Sequence, residues 1–179
     1  MKLKSILIPA LTIVLCAALL YGAAVGLNSI ANANAQEEHL QKMQTILPGS
    51  ETFTVERYDG DDANIVSVHK GETGYVIETC VYGYAGEITM LVGVSNEGKV
   101  TGLQVRDLSE TLGLGAEALT DWEFLAQFLN TSGEAEVGTN VDALTGATVT
   151  SKAIARSVNS AVAYVTGADT ESGATSWGG

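Results

Sequence analysis

The stretch of this sequence best suited to chemistry is Asp142-Ala143-Leu144-Thr145-Gly146-Ala147-Thr148-Val149-Thr150-Ser151. Its four hydroxyl side chains, Thr145, Thr148, Thr150 and Ser151, and its one glycine lead into Ser151 to Val165, whose apolar Ile154, Val158, Val162 and Val165 recur at helical spacing, with Gly167 just beyond. Two readings follow from that junction. Thr150 or Ser151 can act as a helix N-cap, its oxygen accepting a first-turn N–H. Alternatively, the backbone N–H groups and the positive end of the helix dipole make an anion site suited to a phosphate. The spacing is not that of a P-loop, which needs a Gly-rich turn followed by Lys-Ser/Thr.

Other reactive side chains are sparse. His39 and His69 are the only histidines, and neither stands near a candidate nucleophile in sequence. Cys16 and Cys80 form no disulfide framework and have no zinc or iron–sulfur spacing, so both read as buried small apolar side chains. A GxGxxG fingerprint is absent.

Charge and hydropathy divide along the chain. Of 179 residues, 9 are Lys or Arg and 21 Asp or Glu, and the net charge of -12 argues against nucleic-acid binding through phosphates. Lys2 and Lys4 give the first 30 residues +2, which leaves -14 on residues 31–179. Ile6 to Ile30 is a run of 25 residues without a charge, and about 20 suffice for a helix to cross a bilayer. It reads as one membrane span with its N-terminus cytoplasmic and the remainder on the outer, periplasmic or extracellular, face. Cleavage at Ala31-Asn32-Ala33 or Ala33-Asn34-Ala35 is the competing expectation, although the run is longer than a signal peptide's apolar region.

The elements that must position the hydroxyl-rich junction follow. Gln36 to Leu47 has helical spacing and stops at Pro48-Gly49. Residues 64–69, 74–81, 87–94 and 100–105 are short β-branched or aromatic-rich runs, and Gly83 to Gly86 and Asn96 to Lys99 look like hairpin turns. Thr120-Asp121 can cap a helix bearing Trp122, Phe124, Leu125, Phe128 and Leu129, with Gly133 as a stop and Trp122 in the core. The expected class is α+β: a single N-terminal transmembrane helix, then an extracytoplasmic domain of antiparallel strands and flanking helices. The divisions expected are 1–35 for the cytoplasmic stub and span, 36–72 for the membrane-proximal lead-in, 73–167 for the principal domain and 168–179 for a flexible tail.

At the junction itself the sequence resembles a known family. Asp142 to Thr150 is similar to the flavinylation motif Asp-x-x-Ser/Thr-Gly-Ala-Thr-x-Thr. That motif marks the FMN-binding family of the Rnf complex's G subunit and of the C subunit of sodium-translocating NADH:quinone oxidoreductase. The resemblance implies that Thr150 carries FMN through a phosphoester bond. Asp142, Thr145, Gly146, Ala147, Thr148 and Ser151 are then the surrounding loop that a flavin transferase reads. Ser109-Glu110-Thr111-Leu112-Gly113-Leu114-Gly115 resembles the family's Glu-Thr-Pro-Gly-Leu-Gly loop near the flavin ring, with Leu112 in the usual place of Pro. The resemblance thus adds Glu110, Thr111, Leu112, Gly113 and Leu114 to the cofactor site, and Gly83 to Ile88 is a third family-like element. Asp169 to Trp177 repeats the motif 27 residues later but ends in a tryptophan, which has no hydroxyl to esterify.

The resemblance spans Gly74 to Val165, and the compact length is nearer the G-subunit branch. It implies an electron-relay subunit of an ion-translocating ferredoxin:NAD oxidoreductase, not catalytic alone. Its expected partners are the complex's other integral membrane and peripheral subunits, the transferase and the lipid bilayer. With no ferredoxin-like cysteine cluster, NAD and ferredoxin must bind elsewhere. Alternatives are a free-standing anchored or secreted flavoprotein, the quinone-oxidoreductase subunit, and a binding domain whose motif is merely a cap. Tyr75, Tyr84 or Trp122 could contact the ring, and Lys152 or Arg156 could assist the helix dipole at the phosphate.

Overall fold

The structure, a computed structural model, describes residues 16–22, 34, 36–108 and 121–168, with only the backbone described at 107–108. Most of the Ile6–Ile30 run, the two A-x-A sites, Thr120, the Ser109–Gly115 loop and the tail repeat lie outside the described residues. So do Glu110, Thr111, Leu112, Gly113 and Leu114. The chain divides into two compact units, Met1–Gln41 and Lys42–Gly179. In the first, the backbone is helical at 16–22 and 36–41, and Cys16 is exposed rather than buried. No helix among the described residues is long and apolar enough to cross a membrane.

The second unit is built on a five-stranded antiparallel meander in the order β1-β2-β3-β4-β5. Its strands are β1 (Thr54–Glu56), β2 (Ile65–Lys70), β3 (Gly74–Tyr82), β4 (Glu87–Ser95) and β5 (Val100–Leu108). The four expected strands are present, each reaching one to three residues further than the apolar runs. Once a strand is paired, backbone hydrogen bonds continue into polar residues that carry no sequence signal. β1 was not foreseen, since three residues at a sheet edge are too short to show an alternation. The β2–β3 pairing runs across the expected 72/73 division, so the lead-in segment contributes two strands to the same sheet. Both expected hairpins close. Gly83 N–H donates to Gly86 C=O at 2.8 Å, and Ser95 N–H to Lys99 C=O at 2.8 Å, with Gly98 at φ +78.

Two helices follow, α1 (Trp122–Ala126) and α2 (Thr148–Thr166). Strand alternation sends Ile77, Val81, Ile88, Met90, Val92 and Val94 into one core with Ile154, Val158, Ala161 and Val162 of α2. Each of these side chains other than Ala161 contributes about 1.5–3 kcal/mol on full burial. The Thr79 and Ser157 hydroxyls bond each other inside this interface. Asn64 Nδ2 donates to Ser160 Oγ at 3.1 Å, which fixes α2 along the sheet. α2 ends where expected, at Gly167 in the left-handed conformation.

On the other side of the sheet, helical backbone at 42–46 ends over a notch. Gly93 and Gly102 face each other across β4 and β5, and a Cβ on either would lie 2.5 or 2.7 Å from the Ile46 carbonyl oxygen. Thr101 Oγ1 donates to that oxygen at 2.7 Å. Glu72 ties down the following turn, its carboxylate accepting from Thr52 Oγ1 at 2.7 Å and from the Thr52 and Glu51 amides. These bonds, the Thr52 hydroxyl foremost, hold its pKa below the ordinary glutamate value.

α1 departs from expectation. Asp121 caps it as foreseen, Oδ1 accepting from Phe124 N–H at 3.0 Å, but the helix closes after five residues and the chain continues as turns. Phe124 and Phe128 still reach the core, edge to face at 5.4 Å, whereas Trp122 is 71% exposed. Trp122 therefore does not pack in the core. One short turn carries both phenylalanines inward, and the tryptophan at its start is left on the opposite side.

Candidate functional site

The helix that carries the hydroxyl-rich segment begins at Thr148, three residues before the expected start at Ser151. Its N-cap is Ala147, which makes no side-chain cap bond, so neither Thr150 nor Ser151 is the cap. The first intrahelical bond runs from Ser151 N–H to Ala147 C=O at 2.9 Å. The amides of Thr148, Val149 and Thr150 precede it and point out of the helix end. No acidic side chain lies in that first turn. Gly146, at φ +81, turns the chain into the helix through a conformation that costs other residues strain.

The side chains divide sharply by burial. Asp142, Ala143, Thr145, Gly146, Thr148 and Val149 are exposed, Leu144 is half-buried, and Ala147, Thr150 and Ser151 are buried. Ser151 Oγ donates to Ala147 C=O at 2.9 Å and accepts from Leu144 N–H at 3.3 Å. Thr150 is 1% exposed, and its Oγ1 is buried with no hydrogen-bond partner. A neutral hydroxyl left in that state costs on the order of 1–3 kcal/mol. It is therefore a natural place to look for an unmet function.

Gln127, which sequence reasoning missed, holds the start of the segment. Its Oε1 accepts from Asp142 N–H at 2.8 Å and its Nε2 donates to Asp142 C=O at 3.4 Å. A single glutamine after a short helix carries no signal in the sequence, because its role appears only when α1 and the segment are adjacent.

The site lies at one end of the sheet. α2 runs antiparallel to β3: Tyr164 packs on Tyr75, Ser157 on Thr79, and Arg156 Nη2 donates to Tyr82 C=O at 3.1 Å. Its N-terminus accordingly points toward the end bearing the β3–β4 hairpin, where Leu108 of β5 pairs with Ile88. Of the aromatic candidates, Tyr75 belongs to the opposite end. Its ring stacks edge to face with that of Tyr164 at 5.7 Å, 14 residues or about 21 Å along α2 from Thr150. Tyr84 and Trp122 are exposed. Lys152 is exposed too.

A second polar cluster on the sheet has a different character. Ser67 Oγ donates to Glu78 Oε2 at 2.9 Å and contacts His69 Nε2 at 3.2 Å, while Arg106 pairs with Glu78. With the serine proton directed at the carboxylate, the imidazole can only donate to Ser67. In that arrangement the hydroxyl proton goes to the carboxylate rather than to the imidazole, unlike the order of a nucleophilic triad.

The pattern of the FMN-binding domain matches residues 83–163, from the β3–β4 hairpin through the hydroxyl-rich segment into α2. The chain is 36% identical to the G subunit of the ion-translocating oxidoreductase complex of Methanosarcina acetivorans, over 72% of this chain and 76% of that one. It belongs to the G-subunit family of ion-translocating oxidoreductase complexes. It is 38% identical to the G subunit of the Na(+)-translocating ferredoxin:NAD(+) oxidoreductase complex of Acetobacterium woodii, over 50% of this chain and 47% of that one. It is also 39% identical to the corresponding subunit of the proton-translocating complex of Clostridium ljungdahlii, over 51% and 53%. The chain thus spans about half the length of these two relatives.

The FMN-binding domain makes FMN the cofactor of this chain, which belongs to a family of electron-transport subunits. The residues at the α2 N-terminus fit that group. Three outward amides and a helix dipole suit the phosphate, no first-turn carboxylate opposes it, and Thr150 Oγ1 is a hydroxyl with no other employment.

Proposed function

We propose that Thr150 bears FMN through a phosphoester at Oγ1, and that the chain relays electrons as the G subunit of a membrane-bound, ion-translocating ferredoxin:NAD oxidoreductase. The observation that carries the site assignment is the buried, unpartnered Thr150 Oγ1 in the first turn of α2, within a family whose domain binds FMN. The flavin supplies one-electron transfer chemistry when bound. The chain's own residues hold its phosphate: the Thr148 to Thr150 amides and the α2 dipole lie in an acidic chain whose net field repels an anion. Exposed Asp142, Thr145, Gly146 and Thr148, with buried Ala147 and Ser151 behind them, present the segment to a flavin transferase. Glu110, Thr111, Leu112, Gly113 and Leu114 complete the ring's surroundings in this reading.

The 25-residue run Ile6 to Ile30 serves as a single membrane span in this proposal, with Lys2 and Lys4 cytoplasmic and the acidic remainder on the outer face. Residues 36–72 follow the span and contribute β1 and β2 to the sheet that continues through 73–167. Neither NAD nor ferredoxin is assigned a site on this chain, so the role is that of a relay between partner subunits.

Denaturing gel electrophoresis of the full chain produced with its flavin transferase tests the assignment. The wild-type band should fluoresce as a flavin, and Thr150→Ala should abolish this completely. A dark wild-type band, or a fluorescent Thr150→Ala band, would overturn it.

A further inference from the structure

Resting on Thr150 as the flavin-bearing residue, we propose that the first turn of α2 must open before Thr150 is modified, and that Gln127 is the positioning residue that governs the opening. A phosphorus atom must approach Oγ1 along the line of its departing oxygen. At 1% exposure, Thr150 leaves no such path in the closed turn.

Two clamps keep that turn closed. The Gln127 carboxamide bridges the N–H and C=O of Asp142 at 2.8 and 3.4 Å. Ser151 Oγ links Leu144 N–H and Ala147 C=O at 3.3 and 2.9 Å. The Ser151 clamp encloses Gly146 at φ +81 and ends on the N-cap, Ala147, which has no side-chain cap bond of its own. Most side chains from Asp142 to Val149 are exposed, so few apolar contacts oppose a local opening hinged at Gly146. Val141 and Ile154, buried at 2% and 0%, keep the flanks in place while the turn moves.

The covalent step needs an activated donor, because joining a free phosphomonoester to a hydroxyl would expel water into water. A flavin dinucleotide meets the need. The Thr150 O–H bond breaks and an Oγ1–P bond forms to the flavin phosphate. The P–O bond of the phosphoanhydride breaks, a nucleoside monophosphate leaves, the proton passes to solvent, and no electron is exchanged.

The efficiency of modification then scales with the open fraction, since a substrate competent only part of the time binds its enzyme weaker by that fraction. Weakening a clamp should accelerate flavinylation, contrary to what loss of a merely structural contact would do. The test uses the flavin-free full chain in detergent, purified flavin transferase and flavin adenine dinucleotide, with kcat/KM read from in-gel fluorescence against time. Gln127→Ala should raise kcat/KM about three- to tenfold, the factor expected from losing one or two hydrogen bonds. Amide exchange at Ser151 should accelerate by a similar factor. Gln127→Ala labelled at or below the wild-type rate overturns the opening; should that variant not fold, Ser151→Ala is judged by the same criterion. A wild-type chain that takes up no flavin instead overturns the Thr150 assignment, so the two failures are distinct.

Discussion

At the scale of single residues, the site turns on one hydroxyl placed where it is costly. Thr150 was legible in the sequence through its spacing from Asp142 and Gly146, but its burial was not. Burial depends on where α2 begins, and the start expected at Ser151 is three residues late. Ala147 caps the helix without a side chain, so no capping residue announced it. Gln127 was illegible for a related reason: it acts on backbone atoms 15 residues away. The unpartnered hydroxyl has a measurable consequence. Thr150→Val keeps the shape and removes the orphaned oxygen, so flavin-free protein should gain about 1 kcal/mol of stability in denaturant unfolding while losing all flavin uptake. An unchanged or lowered stability would mean that Oγ1 is satisfied in solution.

At the scale of elements, the middle of the chain was read well because its signals are local. Gly-containing turns separate β-branched runs, and each hairpin joins neighbours in sequence, so order and antiparallel sense followed directly. The short α1 was misjudged because Phe124 and Phe128 suit a longer helix equally well, and only the turns after Ala126 reveal that the helix stops. The glycine notch was also hidden. Gly93 and Gly102 are far apart in sequence until β4 pairs with β5, and only then does the need for an absent Cβ appear. Gly93→Ala should lower stability by about 1–3 kcal/mol, since its Cβ would meet the Ile46 carbonyl oxygen at 2.5 Å and the backbone cannot yield cheaply. Thermal unfolding of the flavin-free chain measures this. A neutral result would mean that Ile46 does not rest on the sheet.

At the scale of the whole molecule, the division of charge and the family agree on a membrane subunit. In the proposed topology a +2 start and a -14 remainder set the orientation under the positive-inside bias, and the FMN-binding domain is the relay. In the proposed site the acidic field leaves the flavin phosphate to local amides rather than to net charge. The proposed flavin attachment thus rests on a single atom, Thr150 Oγ1. The most direct measurement is mass spectrometry of peptides from the full chain isolated from its own membranes. One FMN, less one water, is expected on the peptide containing Asp142 to Ser151, with fragmentation locating it at Thr150. An unmodified peptide, or a flavin on Thr148 or on the Ser172 to Thr175 repeat, would contradict it.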